Sequence, residues 1–107
     1  MNKRISKRVP FRIPVKFGQQ NECTLTGLGI DISKTGFCIK TNSVYPPGTL
    51  INILVHYNNE IFHATGTVVW AKKVPPSLIY TVKAGMGIRF KNIDIGFKNM
   101  IIEKTEK

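Results

Sequence analysis

Acidic side chains are scarce in this chain. Six Asp and Glu stand against 16 Lys and Arg among 107 residues, a formal charge of +10. Glu22, Asp31, Glu60, Asp94, Glu103 and Glu106 are scattered, with no evident pair for general acid–base work. Cysteine is limited to Cys23 and Cys38, which form no C-x-x-C pair and have no zinc-like histidine spacing around them. They read as reduced thiols in strands, with a cross-strand disulfide as the lesser alternative. His56 and His63 lack partners at metal spacing and read as strand-surface residues. A glycine-rich phosphate loop and a Ser-His-Asp order in recognisable context are also missing. The chain therefore reads as a non-enzyme with no metal and no cofactor. No apolar run approaches the roughly 20 residues that cross a bilayer. The basic start, Met1 to Arg8, has no apolar stretch behind it of the kind a signal peptide needs. A cytoplasmic location without a membrane span is the expectation.

What is present is enough for one core. Hydrophobic residues make up 42% of the chain, too many for a disordered segment and suited to a single domain. The basic excess favours an anionic partner: a nucleotide, a nucleic acid, anionic lipid or an acidic protein face.

Residues 1–10 are polar, basic and closed by Pro10, and read as a flexible arm ahead of a domain over 11–107. From Phe11 the apolar residues alternate, with Phe11, Ile13, Val15 and Phe17 on one side of a half-buried strand. Thr24 to Ser33 predicts a second strand, with Leu28, Ile30 and Ile32 on the core face. Phe37 to Thr41, Leu50 to His56, Ile61 to Lys72 and Ile79 to Phe90 predict four more, separated by Lys34-Thr-Gly36, Pro46-Pro47-Gly48, Asn58-Asn59 and Pro75-Pro76. Gly85 and Gly87 mark a bend or close packing in the last strand. From Asp94, a plausible N-cap, the residues Ile95, Phe97, Met100 and Ile101 predict a short amphipathic helix. The tail after Met100 is charged and expected to fray. Six short strands with regular turns predict a mainly β fold, a small antiparallel barrel or sandwich.

Two segments stand out chemically. Arg4 and Arg8 lie in the basic arm, and Asp31-Ile-Ser33-Lys-Thr-Gly36 follows at the end of the second strand. A guanidinium fork matches guanine O6 and N7 bidentately and also pairs with phosphate. Alternation puts Asp31 and Ser33 on the outer surface together, a polar shelf whose carboxylate can accept from two neighbouring N–H donors such as guanine N1 and N2. Gly36 can leave room for a ligand, or supply a positive φ to the turn. Local turn capping by Asp31 and Ser33 is the competing reading. Trp70 is a secondary candidate for stacking on a base, although a barrel core or rim is the commoner place for such a residue. Arg89 and Lys72 can add positive potential near a pocket.

These residues carry a resemblance. Arg4-Ile-Ser-Lys-Arg8-Val-Pro-Phe followed by Asp31-Ile-Ser-Lys-Thr-Gly36 resembles the PilZ domain family, bacterial receptors for cyclic di-GMP. Pro47-Gly48-Thr, Gly66-Thr-Val-Val-Trp70 and Gly87-Ile-Arg-Phe90 resemble later signatures of the same family. The resemblance covers nearly the whole chain and implies a stand-alone six-stranded antiparallel barrel with a short C-terminal α-helix. It also implies that Arg4 and Arg8 grip guanine and phosphate, that Asp31 and Ser33 read a guanine edge, and that Gly36 makes room. Family members bind one ligand or a stacked pair, depending partly on residues just before the first arginine, where Lys3 stands. The expected function is a cyclic di-GMP receptor that changes conformation on binding and acts on a downstream protein partner, with motility or surface polysaccharide as output. Two alternatives stand behind it: first a basic barrel binding single-stranded nucleic acid without sequence preference, a partner less expected than cyclic di-GMP, and then a PilZ adaptor that has lost the ligand, against which the five intact motif positions argue.

Overall fold

Strict alternation sets the first strand, with bulky apolar Ile13, Val15 and Phe17 buried and Pro14 and Lys16 exposed. In the computed structural model, which describes residues 12–19, 22–75 and 84–105, the elements are β1 (Ile13–Gly18), β2 (Leu25–Ile30), β3 (Gly36–Lys40), β4 (Leu50–Tyr57), β5 (Glu60–Lys72), β6 (Gly85–Ile93) and α1 (Ile95–Thr105). All neighbouring pairs are antiparallel, and the sheet closes in the order β1-β2-β3-β6-β5-β4. Closure leaves no edge along most of the sheet, which is how a small all-β domain avoids strand-to-strand association. Ile13, Val15 and Phe17 of β1 face Ile51, Ile53 and Val55 of β4 in the core, as period-2 patterning requires.

The β4–β5 hairpin turns on Asn58 and Asn59, both at positive φ (50° and 65°), between the paired Tyr57 and Glu60. Two left-handed residues in a two-residue loop match the twist of the strands, and Asn tolerates that conformation better than most residues. Helix α1 packs against β5, with Phe97, Met100 and Ile101 joining the core. Phe97 stacks on Phe62 at 5.7 Å between ring centroids and meets Phe90 edge-on at 5.6 Å.

Several expectations change. The helix does not fray after Met100: Ile101 is fully buried, and the Thr105 hydroxyl donates to the Ile101 carbonyl at 2.9 Å. Asp94 occupies the N-cap position, its carbonyl accepting from Lys98 N–H at 2.9 Å. Its carboxylate, however, accepts from the His63 N–H at 2.7 Å, pinning the helix start to β5 rather than satisfying the helix's own amides. Strand β6 runs on to Ile93, and the expected earlier stretch from Ile79 falls partly outside the described residues. Neither cysteine is in a disulfide.

Candidate functional site

Strand β2 ends in a break that sets the whole site. Ile13 of β1 pairs with Gly29, which faces inward: a Cβ there would meet Phe37 Cε2 at 2.6 Å and Ile13 Cγ2 at 3.0 Å. Ile30 therefore points outward. Asp31 then adopts φ 52°, a left-handed conformation open to a few non-glycine residues, Asp among them. That single residue resets the alternation. Ile32 is fully buried, and Ser33 is only 3% exposed.

The expected shelf of Asp31 and Ser33 side by side is thus corrected, and so is the core position of Ile30. Ser33 turns inward and closes the β2–β3 turn. Its hydroxyl donates to the Gly36 carbonyl at 3.1 Å and accepts from the Thr35 and Gly36 N–H groups at 3.3 Å each. The expected reasons for Gly36 are corrected as well. It is not among the positive-φ glycines, and what its missing side chain admits is a strand: a Cβ would overlap the carbonyl of Ile88 on β6.

Asp31, by contrast, opens onto a concavity of about 410 Å³ on the outer wall, lined with Ile30, Cys38, Lys40, Trp70, Lys72 and Gly85 among others. The register explains its shape. Cys38 of β3 and Trp70 of β5 both pair with Gly87 of β6. One pleat further, Lys40 and Lys72 both pair with Gly85. Gly85 and Gly87 thus form a column without side chains between two margins, Gly85 in the lining of the concavity and Gly87 beneath the indole. The indole of Trp70 lies across Gly87, where a Cβ would come within 2.6 Å of indole carbons. A β-bulge between Val68 and Trp70 moves the indole into this position and leaves Trp70 44% exposed. Ile30 pairs with Cys38, so Asp31 joins the margin opposite Trp70.

The structure therefore brings Asp31 and Trp70 into one concavity and assigns Ser33 and Gly36 to the turn beneath it. Arg4, Arg8 and Lys3 lie outside the described residues. Lys40, Gly85 and Gly87 were missed as site residues; the one sequence signal was Gly-x-Gly in a strand, two side-chain-free positions on one face. Arg89 pairs with Gly36 one row away from the concavity and does not line it.

A second concavity of about 370 Å³ lies over β4, β5 and the end of β6, with Cys23, Asn52, His63, Asn92 and Asp94 in its lining. Among the described residues no Lys or Arg lines it. Part of its polar complement is engaged, the Asp94 carboxylate with His63 N–H and the Asn92 amide with the Thr65 hydroxyl at 3.5 Å. Burial pushes the Cys23 thiol above its ordinary pKa. Among the described residues no cluster of His, Cys, Asp and Glu suits a metal ion, and no helix is long and apolar enough to cross a membrane.

The PilZ domain family model matches residues 2–107. Two solved structures share the fold. The Bacillus subtilis inhibitor of motility, MotI/DgrA, superposes with a TM-score of 0.76 over 99% of this chain at 12% identity, and this chain spans 50% of that one. The PilZ domain of CeSA from a cellulose-synthesizing bacterium superposes with a TM-score of 0.64 at 16% identity, covering 94% of this chain and 96% of that domain. No curated protein is significantly similar to the chain in sequence.

Proposed function

This chain belongs to the PilZ domain family, a family of cyclic di-GMP-binding regulatory domains, and from that premise we propose that it is itself a cyclic di-GMP receptor whose ligand occupies the wall under Trp70. The observation that carries the reading is the shared concavity of Asp31 and Trp70. A carboxylate on one margin accepts from the N1 and N2 edge of guanine. An aromatic plate on the other offers a stacking face for a purine.

Arg4 and Arg8 complete the site in this proposal. Strand β1 begins at Ile13, which pairs with Gly29, two residues before Asp31. The start of β1 therefore lies beside the strand end that carries the carboxylate. Arg8 is five residues ahead of Ile13, and five extended residues span at most about 18 Å. That reach supports an arm that folds over a bound nucleotide, with guanidinium groups on guanine O6/N7 and on phosphate. Binding engages the arm and changes the surface offered to a protein partner. The ligand drives this change only as far as it favours the closed form over the open one. Ser33 and Gly36 serve by holding the turn that presents Asp31. Lys3 precedes the first arginine and influences whether one ligand or a stacked pair binds. The output is a soluble regulatory event in the cytoplasm, on motility or on surface polysaccharide.

Calorimetric titration with cyclic di-GMP tests this on the wild type, Arg8→Ala and Asp31→Asn. Asn keeps the left-handed backbone and the size of residue 31, so its effect reads the carboxylate alone. Loss of a charged partner in a desolvated site predicts a weakening of about 2–5 kcal/mol for each variant. Cyclic di-AMP, which lacks the guanine donor edge, should bind poorly. Equal affinity for all three proteins would refute the residue assignments. Tight, steeply salt-dependent binding of single-stranded DNA with none of cyclic di-GMP would favour the nucleic-acid alternative.

A further inference from the structure

Lys40 and Lys72 face one another across a residue that has no side chain. Lys40 belongs to β3, Lys72 to β5, and both pair with Gly85 of the intervening β6. Two strand spacings put their Cα atoms about 10 Å apart. Both side chains line the same concavity as Asp31 and Trp70. Their row is the next outward-facing one beyond Cys38, Gly87 and Trp70, about 7 Å along the strands. Lys40 is half-buried, which restricts where its ammonium can go, while Lys72 is exposed.

Like charges arranged across one sheet row repel, and no carboxylate of that row offsets them. Gly85 puts no side chain between them and itself lines the concavity, in a row packed so closely that a Cβ there would sit 2.8 Å from the Ile39 carbonyl oxygen. The row therefore combines two flexible ammonium groups with a gap that an anion can enter. Each ammonium brings three N–H donors and no acceptor, which suits phosphate oxygens and is indifferent to base identity.

We infer that Lys40 and Lys72 form a phosphodiester clamp across Gly85, built into the barrel wall and separate from the arginines of the arm. The inference rests on the reading of this wall as the cyclic dinucleotide site and assigns one part of it. A base stacked on Trp70 places its own sugar-phosphate one row along, over Gly85. The clamp then gives the wall an electrostatic hold on the ligand that does not depend on the arginines of the arm. Its contribution is screened by salt, as exposed ion pairs are.

The test compares three full-length proteins: wild type, the double variant Lys40→Gln/Lys72→Gln, and a charge-matched control, Lys91→Gln/Lys98→Gln, whose residues are exposed and do not line the concavity. Thermal melting first establishes that each is folded. Cyclic di-GMP is then titrated at low and at moderate salt, by calorimetry and by emission of the single tryptophan, Trp70. The expected result is wild-type affinity for the control and binding weaker by about tenfold for the clamp variant, with a flattened salt dependence. A clamp variant that matches the control in affinity and salt response, while the wild type binds, would overturn the clamp and leave the receptor reading standing. Absence of binding by the wild type would overturn both.

Discussion

Replacing Gly87 by alanine should uncouple the wall under Trp70, the proposed ligand site, from the fold, and Gly36 provides the contrast. At Gly87 the new methyl group overlaps the indole of Trp70, an exposed side chain on a bulged stretch of strand. At Gly36 it overlaps the backbone carbonyl of Ile88, which cannot leave without separating β3 from β6. The indole is 44% exposed, so rather more than half of it is covered. Taking about 200 Å² for a whole aromatic side chain, about 110 Å² is covered, worth near 3 kcal/mol at about 25 cal/mol per Å². Swinging the ring outward forfeits only the part lying over Gly87, so Gly87→Ala should destabilise by about 1 kcal/mol. Gly36→Ala has no such escape and should cost at least the 1–3 kcal/mol of overpacking, about 3 kcal/mol or more once the strand pair is forced apart.

The assay is chemical denaturation followed by circular dichroism, with tryptophan emission read in parallel. Trp70 is the only tryptophan, so emission reports the wall directly. Gly87→Ala should shift native emission toward that of a water-exposed indole and raise its quenching by acrylamide. Gly36→Ala should leave native emission near that of wild type and lower the denaturation midpoint. Equal destabilisation by the two variants, or unchanged emission in Gly87→Ala, would refute the placement of the indole over the glycine column.

Two further outcomes follow from the same contacts. Ser33→Ala removes a buried hydroxyl that donates to one carbonyl and accepts from two amides; the loss should cost about 1–3 kcal/mol in denaturant titration, and a midpoint within error of wild type would show the turn does not depend on it. Burial raises the Cys23 thiol above its usual pKa, so the folded protein holds that proton more tightly than the unfolded chain does; the associated stability is complete below the unfolded thiol's value of about 8.5 and is lost as pH climbs toward the folded one. Native Cys23 should accordingly be alkylated more slowly at pH 8 than in the urea-unfolded chain, read by peptide mass spectrometry, and equal rates would contradict that shift.

The barrel was legible where side-chain volume and strand face agree. Ile13, Val15 and Phe17 alternate and are all buried, and Asn58-Asn59 is a hairpin turn both by composition and by backbone angle. Strand β2 was misread because its face was assigned from its large side chains. Leu28 and Ile30 point out, while Gly27 and Gly29 point in, since Ile39 and Phe37 of β3 already fill the space they face. A narrow barrel cannot take a bulky residue from every strand at one level. The lysine row escaped for another reason. Lys40, Gly85 and Lys72 are brought together by register between distant segments, which no local pattern encodes.

Asp31 explains why the motif was readable as a string yet misleading as a shape. Read as a regular strand, Asp-x-Ser puts both polar side chains on one face. Read with residue 31 left-handed, the same letters send Asp31 to the wall and Ser33 to the interior. Only the second arrangement gives each polar group a task its surroundings support: a hydroxyl hydrogen-bonded to Thr35 and Gly36 inside the turn, and a carboxylate lining a concavity with two ammonium groups and an indole. The motif is therefore mostly architecture, in which Ser33 and Gly36 hold the turn against β6 so that one carboxylate is presented at a fixed place. Substitutions in it should divide accordingly, with Ser33 and Gly36 moving stability first and affinity only through it, and Asp31→Asn moving affinity while the melting curve stays put.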